Sequence, residues 1–430
     1  VAAALYTPQV MAFTTDVDAG NSPVTGETVE NGTQNILNGG ETRDITINDG
    51  GWQNVYSGGT ANTTTINGGA QRVYGTAKDT TINNGGTQYV NFGGTAENTT
   101  INSGRQYVYE GGTANTTTIS SGMQWVNNGG TANTTTIDGG AQHVSGTAEN
   151  TTINSGRQYV YEGGTANNTT ISGGWQIVGS GGTASGTTIS DGGLMQNAGS
   201  DTGTTVKSGG TYELGRYSTG APGEPPYRYY GTASASSLTV ENGGQATVYA
   251  GTLTGATVSG ENTVLKLMTP QTETDDADLP LSLRGNVSVT AGGRLVSQRG
   301  ADMSGTDLTL RSQGALILEG DADCPDGSCT WSVNSLTLDN GSVAFYNTAV
   351  TQVSDGQYQT LTTRSLSGSG DFYMHTNVAG GKGDRLEVTG TADGSHRVYV
   401  ADTGVSPAAG TNLTLVTTGG GNASFSLGNE

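Results

Sequence analysis

INSGRQYVYEGGTANTTT, residues Ile101 to Thr118, returns almost unchanged from Ile153 and in degraded form on either side. Its leading isoleucine recurs at 47, 66, 82, 101, 119, 137, 153, 171 and 189, and Val206 closes the series. The steps are 19, 16, 19, 18, 18, 16, 18, 18 and 17 residues. A period this short marks a solenoid, in which each unit is one supersecondary turn stacked on its neighbour. Within a copy, Gln106-Tyr107-Val108 keeps its first and third residues from copy to copy while the middle one varies, and Thr117-Thr118-Ile119 keeps the same parity. Alternation over three to five residues, bounded by Gly-Gly pairs, reads as strand and turn. A helical repeat would need Leu and Ala at spacings of three and four, and the glycines would break it. The expectation is an all-β parallel β-helix, a single-stranded β-solenoid with two or three short strands per coil of about 18 residues.

That winding fixes what is buried. Strands of successive coils stack roughly 4.7–4.9 Å apart, so equivalent positions form columns, and alternate residues point to opposite faces. The valines from Val55 to Val178, the isoleucines from Ile66 to Ile171 and the alanines from Ala61 to Ala166 should face inward. The glutamines from Gln53 to Gln176 share that parity and should form a buried amide stack, each bonding the next along the axis.

Composition agrees. The chain has 430 residues, 72 of them Gly, and only 32% are hydrophobic, which suits a thin core shared along many coils. Abundant Gly, Thr and Asn with few aromatics also fits disorder, but the strict inward periodicity argues against it. A net charge of −20 and a pI near 4.3 disfavour nucleic acid or an anionic membrane as partner. No apolar run reaches the ~20 residues of a membrane helix.

Residues 1–12 (VAAALYTPQVMA) read as the tail of a secretory signal, residues 13–40 as an N-terminal cap, and residues 41–210 as the regular repeats. Residues 211–236 contain YELGRYSTGAPGEPPYRYY, whose prolines exclude ladder strands. The excursion is either a flap laid on the coils or a binding loop. A looser β-helix follows over 237–357, interrupted by the acidic TPQTETDDADLP (269–280), which lacks the spacing of a Ca²⁺ loop and reads as a solvated segment. Cys324 and Cys329 enclose Pro-Asp-Gly-Ser, a turn that brings them together; export would oxidise them to a disulfide. Half a zinc site is the alternative, but no second Cys or His pair exists to complete it, and no metal or other cofactor is expected.

The coils, of the form G-x-Q-x-V-x-x-G-G-x-A-x-x-T-x-I, resemble those of the self-associating autotransporters of Gram-negative bacteria, the antigen 43, AIDA-type and TibA group. Residues 358–390 with HRVYV (396–400) and LTLVTT (413–418) resemble the C-terminal folding segment of pertactin-like passengers, so 358–430 is expected to form the stable end. The resemblance implies a right-handed parallel β-helix passenger, exported through its own outer-membrane β-barrel to the cell surface. It implies adhesion without enzymatic activity, with another copy of the chain on a facing cell as partner, supporting autoaggregation and biofilm formation. Host-cell protein or glycan receptors are the alternative. Related adhesins carry heptose on Ser and Thr, and the Asn-Thr-Thr-Thr tracts (62–65, 115–118, 133–136) are candidate acceptors.

Two outward faces are candidates for the contact. The first carries Thr65, Thr81, Thr100, Thr118, Thr136 and Thr152 beside Asn67, Asn83, Asn102, Asp138 and Asn154, a flat array of donors and acceptors. The second carries Arg72, Tyr89, Tyr107, Trp125, His143, Tyr159 and Ile177, flanked by Trp52, Arg105, Met123, Arg157 and Trp175; aromatics and arginines are enriched at binding hot spots. Plain β-propensity explains Thr and Tyr on a strand surface equally. For an enzyme, two Asp-Thr-Gly triplets at Asp201 and Asp402 suggest an aspartic-protease pair, but those carboxylates must touch and sit far apart in the repeat. His143, His375 and His396 have no Ser or Cys partner in sequence. Lys382-Gly383-Asp384 reads as a structural turn rather than a recognition tripeptide.

Overall fold

The computed structural model describes residues 14–218, 226–268, 279–298, 300–320, 328–345, 358–402 and 404–428. Among these, every residue is strand, turn or irregular, and none is helical. The chain divides into two compact units, Val1–Ser185 and Gly186–Glu430. Each is a parallel β-helix, wound in the right-handed sense that parallel crossovers adopt.

In the first unit one strand type runs Thr14–Val17, Thr33–Ile36 and Trp52–Val55, and continues coil by coil to Trp175–Val178. Like residues pair with like: Gln106 lies beside Gln88 and Gln124, and Val108 beside Val90 and Val126. The coil pattern therefore already occupies residues 14–36, within the segment expected to act as a cap, while residues 1–12 lie outside the described chain. The rest of a coil is a strand bent once, as in Thr60–Asn67, Thr113–Ile119 and Thr131–Ile137. The bend is a single left-handed residue, Thr63 (φ 53°), Asn98 (54°), Thr116 (56°) or Thr134 (58°). It cuts the element in two, so a coil has three straight runs. Most of the remaining corners carry a Gly-Gly pair, and the others keep its second glycine, as at Ser103-Gly104 and Tyr74-Gly75. Gly93 has φ 78°, and a Cβ on Gly94 would lie 2.1 Å from the Val73 carbonyl oxygen, so only glycine fits there.

The core follows the parity of the sequence. Val108, Ala114 and Ile119 are fully buried, as are their equivalents in the other coils. Gln106 is 0% exposed; its Nε2 donates to Gln88 Oε1 at 2.7 Å and to Thr99 Oγ1 at 3.1 Å. Its own Oε1 accepts from Gln124 Nε2 at 2.7 Å and from Thr117 Oγ1 at 3.4 Å. The same linkage repeats from Gln53 to Gln176. The column of buried threonines (Thr64, Thr80, Thr99, Thr117, Thr135) is the unforeseen half of this ladder. It shares parity with the isoleucine two residues on.

In the second unit the strands lengthen. Ser234–Glu241, Gly251–Ser259, Leu281–Thr290, Asp302–Arg311, Ser328–Ala344 and Tyr358–Asn377 pair in parallel, one on the next. Leu and Val (Leu238, Val289, Leu310, Leu338) now take most of the interior positions in place of the glutamine ladder. The excursion returns as a hairpin: Arg216–Ser218 pairs antiparallel with Tyr227–Tyr229. It lies on the coils as a flap. The Arg216 guanidinium ion-pairs with Glu213 and sits over Tyr227 (4.1 Å) and over Tyr249 (3.8 Å) of the coil beneath. Cys329 is buried beside Gln359; Cys324, and with it the expected disulfide, lies outside the described residues, as do 269–278 of the acidic segment.

Over residues 358–428 the coils close around Phe372, Met374, Leu386 and Val388. Asp384 is 0% exposed. Its carboxylate accepts the backbone N–H of Gln359 (2.8 Å) and of His375 (2.7 Å), and the His375 Nδ1 lies 2.7 Å away. Burial pushes this carboxyl up, and those contacts pull it back only in part. The Lys-Gly-Asp turn thus points its Asp into the core, with no face left for a receptor.

Candidate binding faces

The Thr-Ile run of each coil turns its isoleucine inward, which forces its neighbours outward. Thr65, Thr81, Thr100, Thr118, Thr136 and Thr152 pair in register as one half-buried column. The column beyond the isoleucine holds Asn67 and Asn83, half-buried, then the exposed Asn102, Asp138 and Asn154. These side chains bond one another along the axis: Asn83 Nδ2 donates to Asn67 Oδ1 (3.1 Å), Asn102 Nδ2 to Asn83 Oδ1 (2.8 Å), and Asn154 Nδ2 to Asp138 Oδ1 (2.7 Å). An amide has two N–H donors and two lone pairs. At Asn83 the ladder uses one of each and leaves one donor and one lone pair over.

Across the left-handed corner lies a second polar surface that the sequence reading overlooked. Thr60, Thr76, Thr95, Thr113 and Thr131 form one column, with Asn62, Lys78, Glu97, Asn115 and Asn133 beside it. Asn133 Nδ2 donates to Asn115 Oδ1 at 2.9 Å. The signal was the residue on either side of the inward alanine.

The Gln-x-Val strands carry the aromatic face. Tyr89 and Tyr107 stack at 5.5 Å, Tyr107 and Trp125 at 6.4 Å, Trp125 and His143 at 3.8 Å, and His143 and Tyr159 at 5.1 Å, with interplanar angles of 6–16°. Nearly parallel rings at about the coil rise have their faces against one another and their edges toward solvent. At one end the Arg72 guanidinium lies 4.1 Å over the Trp52 ring, and at the other Arg157 lies 5.0 Å over Trp175. Arg72, Arg105 and Arg157 are exposed. Ile177 is not part of the surface: it is 7% exposed.

A parallel row, unforeseen, comes from the residue after the valine in four coils. Tyr56 stacks on Tyr74 (6.2 Å), Tyr109 joins Tyr89 and Tyr107, and the Tyr161 hydroxyl lies 2.8 Å from His143 Nδ1. Burial within the stack lowers His143 to about 4, so its imidazole is neutral at physiological pH. Burial, and then the neighbouring phenols, raise Tyr109 and Tyr161.

The candidate catalytic groups do not converge. Asp201 is buried and accepts from Thr204 Oγ1 at 2.8 Å, while Asp402 accepts from Thr376 Oγ1 (2.8 Å) and the Val378 N–H (3.0 Å). Among the described residues no group of three or more His, Cys, Asp or Glu is placed to hold a metal.

Two family models match. "Adhesin of bacterial autotransporter system, probable stalk" covers residues 73–123 and 154–210, and "Pertactin" covers 333–430. The probable autotransporter YpjA of Escherichia coli K12 is 45% identical over 240 residues, 55% of this chain and 15% of YpjA. The autotransporter adhesin/invasin TibA of Escherichia coli O78:H11 is 34% identical over 158 residues, 34% of this chain and 15% of TibA. The chain therefore spans only a small part of these relatives' length. The crystal structure of a hyper-glycosylated TibA fragment aligns over 72% of this chain and 95% of the fragment, at 31% identity and a TM-score of 0.46.

Proposed function

From the premise that the chain is an autotransporter passenger domain, carried to the surface of a Gram-negative cell, we propose that it is a non-enzymatic adhesin that joins cells by docking its Thr/Asn face onto the same face of another copy. The observation that supports this is the ladder Asn67, Asn83, Asn102, in which each amide is bonded to its neighbour and Asn83 keeps a donor and a lone pair beyond those the ladder uses. Fixing the side chains in advance lowers the entropy lost on contact. Each new hydrogen bond is worth only about 1 kcal/mol net. Repetition along the face, and many copies per cell, multiply weak contacts through effective concentration. Reversible clumping of cells and biofilm growth follow. The partner is itself, presented by a facing cell, and the surface anchor is the β-barrel of the same autotransporter.

The test is a settling assay on cells displaying the passenger. The variant Thr100→Asp, Asn102→Asp, Thr118→Asp, Thr136→Asp places like charges opposite one another in the docked pair and should settle no faster than cells lacking the passenger. Settling at the wild-type rate, with the variant shown to be folded and displayed, rejects the face. Glycosylation of the Asn-Thr-Thr-Thr tracts would be confined by burial: Thr64, Thr117 and Thr135 are in the core, leaving Thr63, Thr116, Thr134 and the half-buried Thr65, Thr118 and Thr136 as acceptors.

A further inference from the structure

Residues 1–185 contain five lysines and arginines against thirteen aspartates and glutamates. Three of the five, Arg72, Arg105 and Arg157, project from the Gln-x-Val strands. The other two are elsewhere and already paired, Arg43 with Glu41 at 2.8 Å and Lys78 with Glu97 at 3.6 Å. The two outward columns of those strands, Trp52 to Trp175 and Asn54 to Ile177, include no carboxylate. The nearest acids along the chain, Glu110 and Glu162, lie beyond the strand in the Gly-Gly turn. Around the three arginines the solvent meets ring edges, which carry the positive end of the aromatic quadrupole, and phenol and indole donors. The surface is thus locally cationic and donor-rich within an acidic protein.

From this segregation we infer that the Gln-x-Val strands form a binding track for an extended acidic polysaccharide, distinct from the Thr/Asn face. The track is four residues wide and runs along the coil axis, so a linear polymer can lie on it across many coils. Arg72 and Arg105 are two coils apart and Arg105 and Arg157 three, which at about 4.8 Å per coil is roughly 10 and 14 Å. Cations so sparse match a polymer whose charges are interrupted by neutral, hydroxyl-rich units. They do not match duplex DNA, with one charge per about 1.7 Å of axis. Arg forks take carboxylate or sulfate in two-point contacts; stacking on Trp52 and Trp175 holds two of those forks in place. Ring faces are already occupied within the stack, so sugars meet ring edges and hydroxyls.

The experiment measures binding of the purified full chain to immobilised keratan sulfate (sulfated) and hyaluronate (carboxylated), whose charged sugars are interrupted by neutral ones, and to dextran (neutral), with single-stranded DNA and polyglutamate as further probes. Sulfated or carboxylated polysaccharide should be retained, dextran should not, and added NaCl should weaken retention. Arg72→Gln, Arg105→Gln, Arg157→Gln should bind at least about tenfold more weakly, since one charge-assisted contact is worth about that factor. Arg43→Gln, Lys78→Gln, with nearly the same net charge, should stay within about twofold of wild type. The inference is overturned if both variants lose equally, if the triple variant binds like wild type while folded by circular dichroism, or if neither acidic polysaccharide is retained. It is also overturned if dextran, DNA or polyglutamate binds as tightly as the acidic polysaccharides. The settling variant on the Thr/Asn face should bind polysaccharide normally, so failure here leaves the self-docking reading standing.

Discussion

Replacing Gln106 by Met tests whether the buried amide ladder holds the repeat together. Met has nearly the same length and keeps the site filled. The change removes four hydrogen bonds, but the groups left behind differ in what they retain. Gln88 Oε1 keeps the Thr99 hydroxyl (3.4 Å), and Gln124 Nε2 keeps Thr117 Oγ1 (3.1 Å) through one of its two N–H groups. Two buried donors are orphaned: the second N–H of Gln124 and the hydroxyl of Thr117, which had donated to Gln106. At about 1–3 kcal/mol for each of the two orphaned donors, less about 1 kcal/mol regained by apolar burial, the net cost is about 1–5 kcal/mol. In a solenoid such a cost falls on adjacent coils, so the readout is native-state hydrogen exchange at the Val108 and Val126 amides. Exchange there should accelerate by about 5- to 5,000-fold, with a much smaller change several coils away. Gln106→Met with Gln124→Met should cost less than twice the single change, because two apolar neighbours leave no amide orphaned between them. Protection within about threefold of wild type would show that the ladder is incidental to packing.

The left-handed corner offers a gain. Thr116 is exposed at φ 56°, unfavourable for a β-branched residue, where sister coils use Asn98, Asn150 and Asn168. Thr116→Asn should stabilise the fold by about 1 kcal/mol in chemical denaturation, and a loss would mean that the threonine makes a contact worth more than the strain. Burial pushes the Asp201 carboxyl up to about 6 from 3.8, against hydrogen bonds from Thr204 and Tyr212 that lower it. The folded state therefore binds this proton more tightly than the unfolded chain, and stability falls as pH rises from about 4 to about 6. Asp201→Asn should match wild type near pH 3 and exceed it at pH 7 by about 3 kcal/mol, the equivalent of two pH units. Equal stability at both pH values would refute the buried-carboxylate account.

What could be read from the sequence divides by side-chain direction. Gln106, Val108, Ala114 and Ile119 repeat because each must pack on its own copy one coil away, so the period revealed strand type, parity and core together. Thr117 was missed although it repeats as strictly. It sits beside the outward Thr118, and identical neighbours conceal which one faces in. The corner was missed for a related reason: Thr63, Asn98 and Asp79 share a backbone angle, but the bend takes Thr as well as Asn and Asp, so no single letter marks it. The opening segment looked irregular because its coil is built from strands as short as Val24–Thr25 and Thr28–Val29. Once pairing in register places Val17 against Ile36, the same coil geometry is plain.

The outward positions obey a weaker rule, and this is what gives them meaning. Winding requires Val at 90, 108 and 126 but asks of 89, 107 and 125 only that they suit a strand surface. Thr meets that demand and fills the neighbouring faces. On the Gln-x-Val strands the same freedom yields Tyr89, Tyr107, Trp125 and Tyr159, with Arg72, Arg105 and Arg157 and no carboxylate. Aromatic rings alone follow from strand propensity. The cations do not: folding gains little from an exposed arginine without an acidic partner, and an acidic protein that placed its few cations for stability would set them beside carboxylates, as it does with Arg43 and Lys78. Three arginines kept apart from acids on one strand type are what an anion-binding track requires and what the fold leaves free.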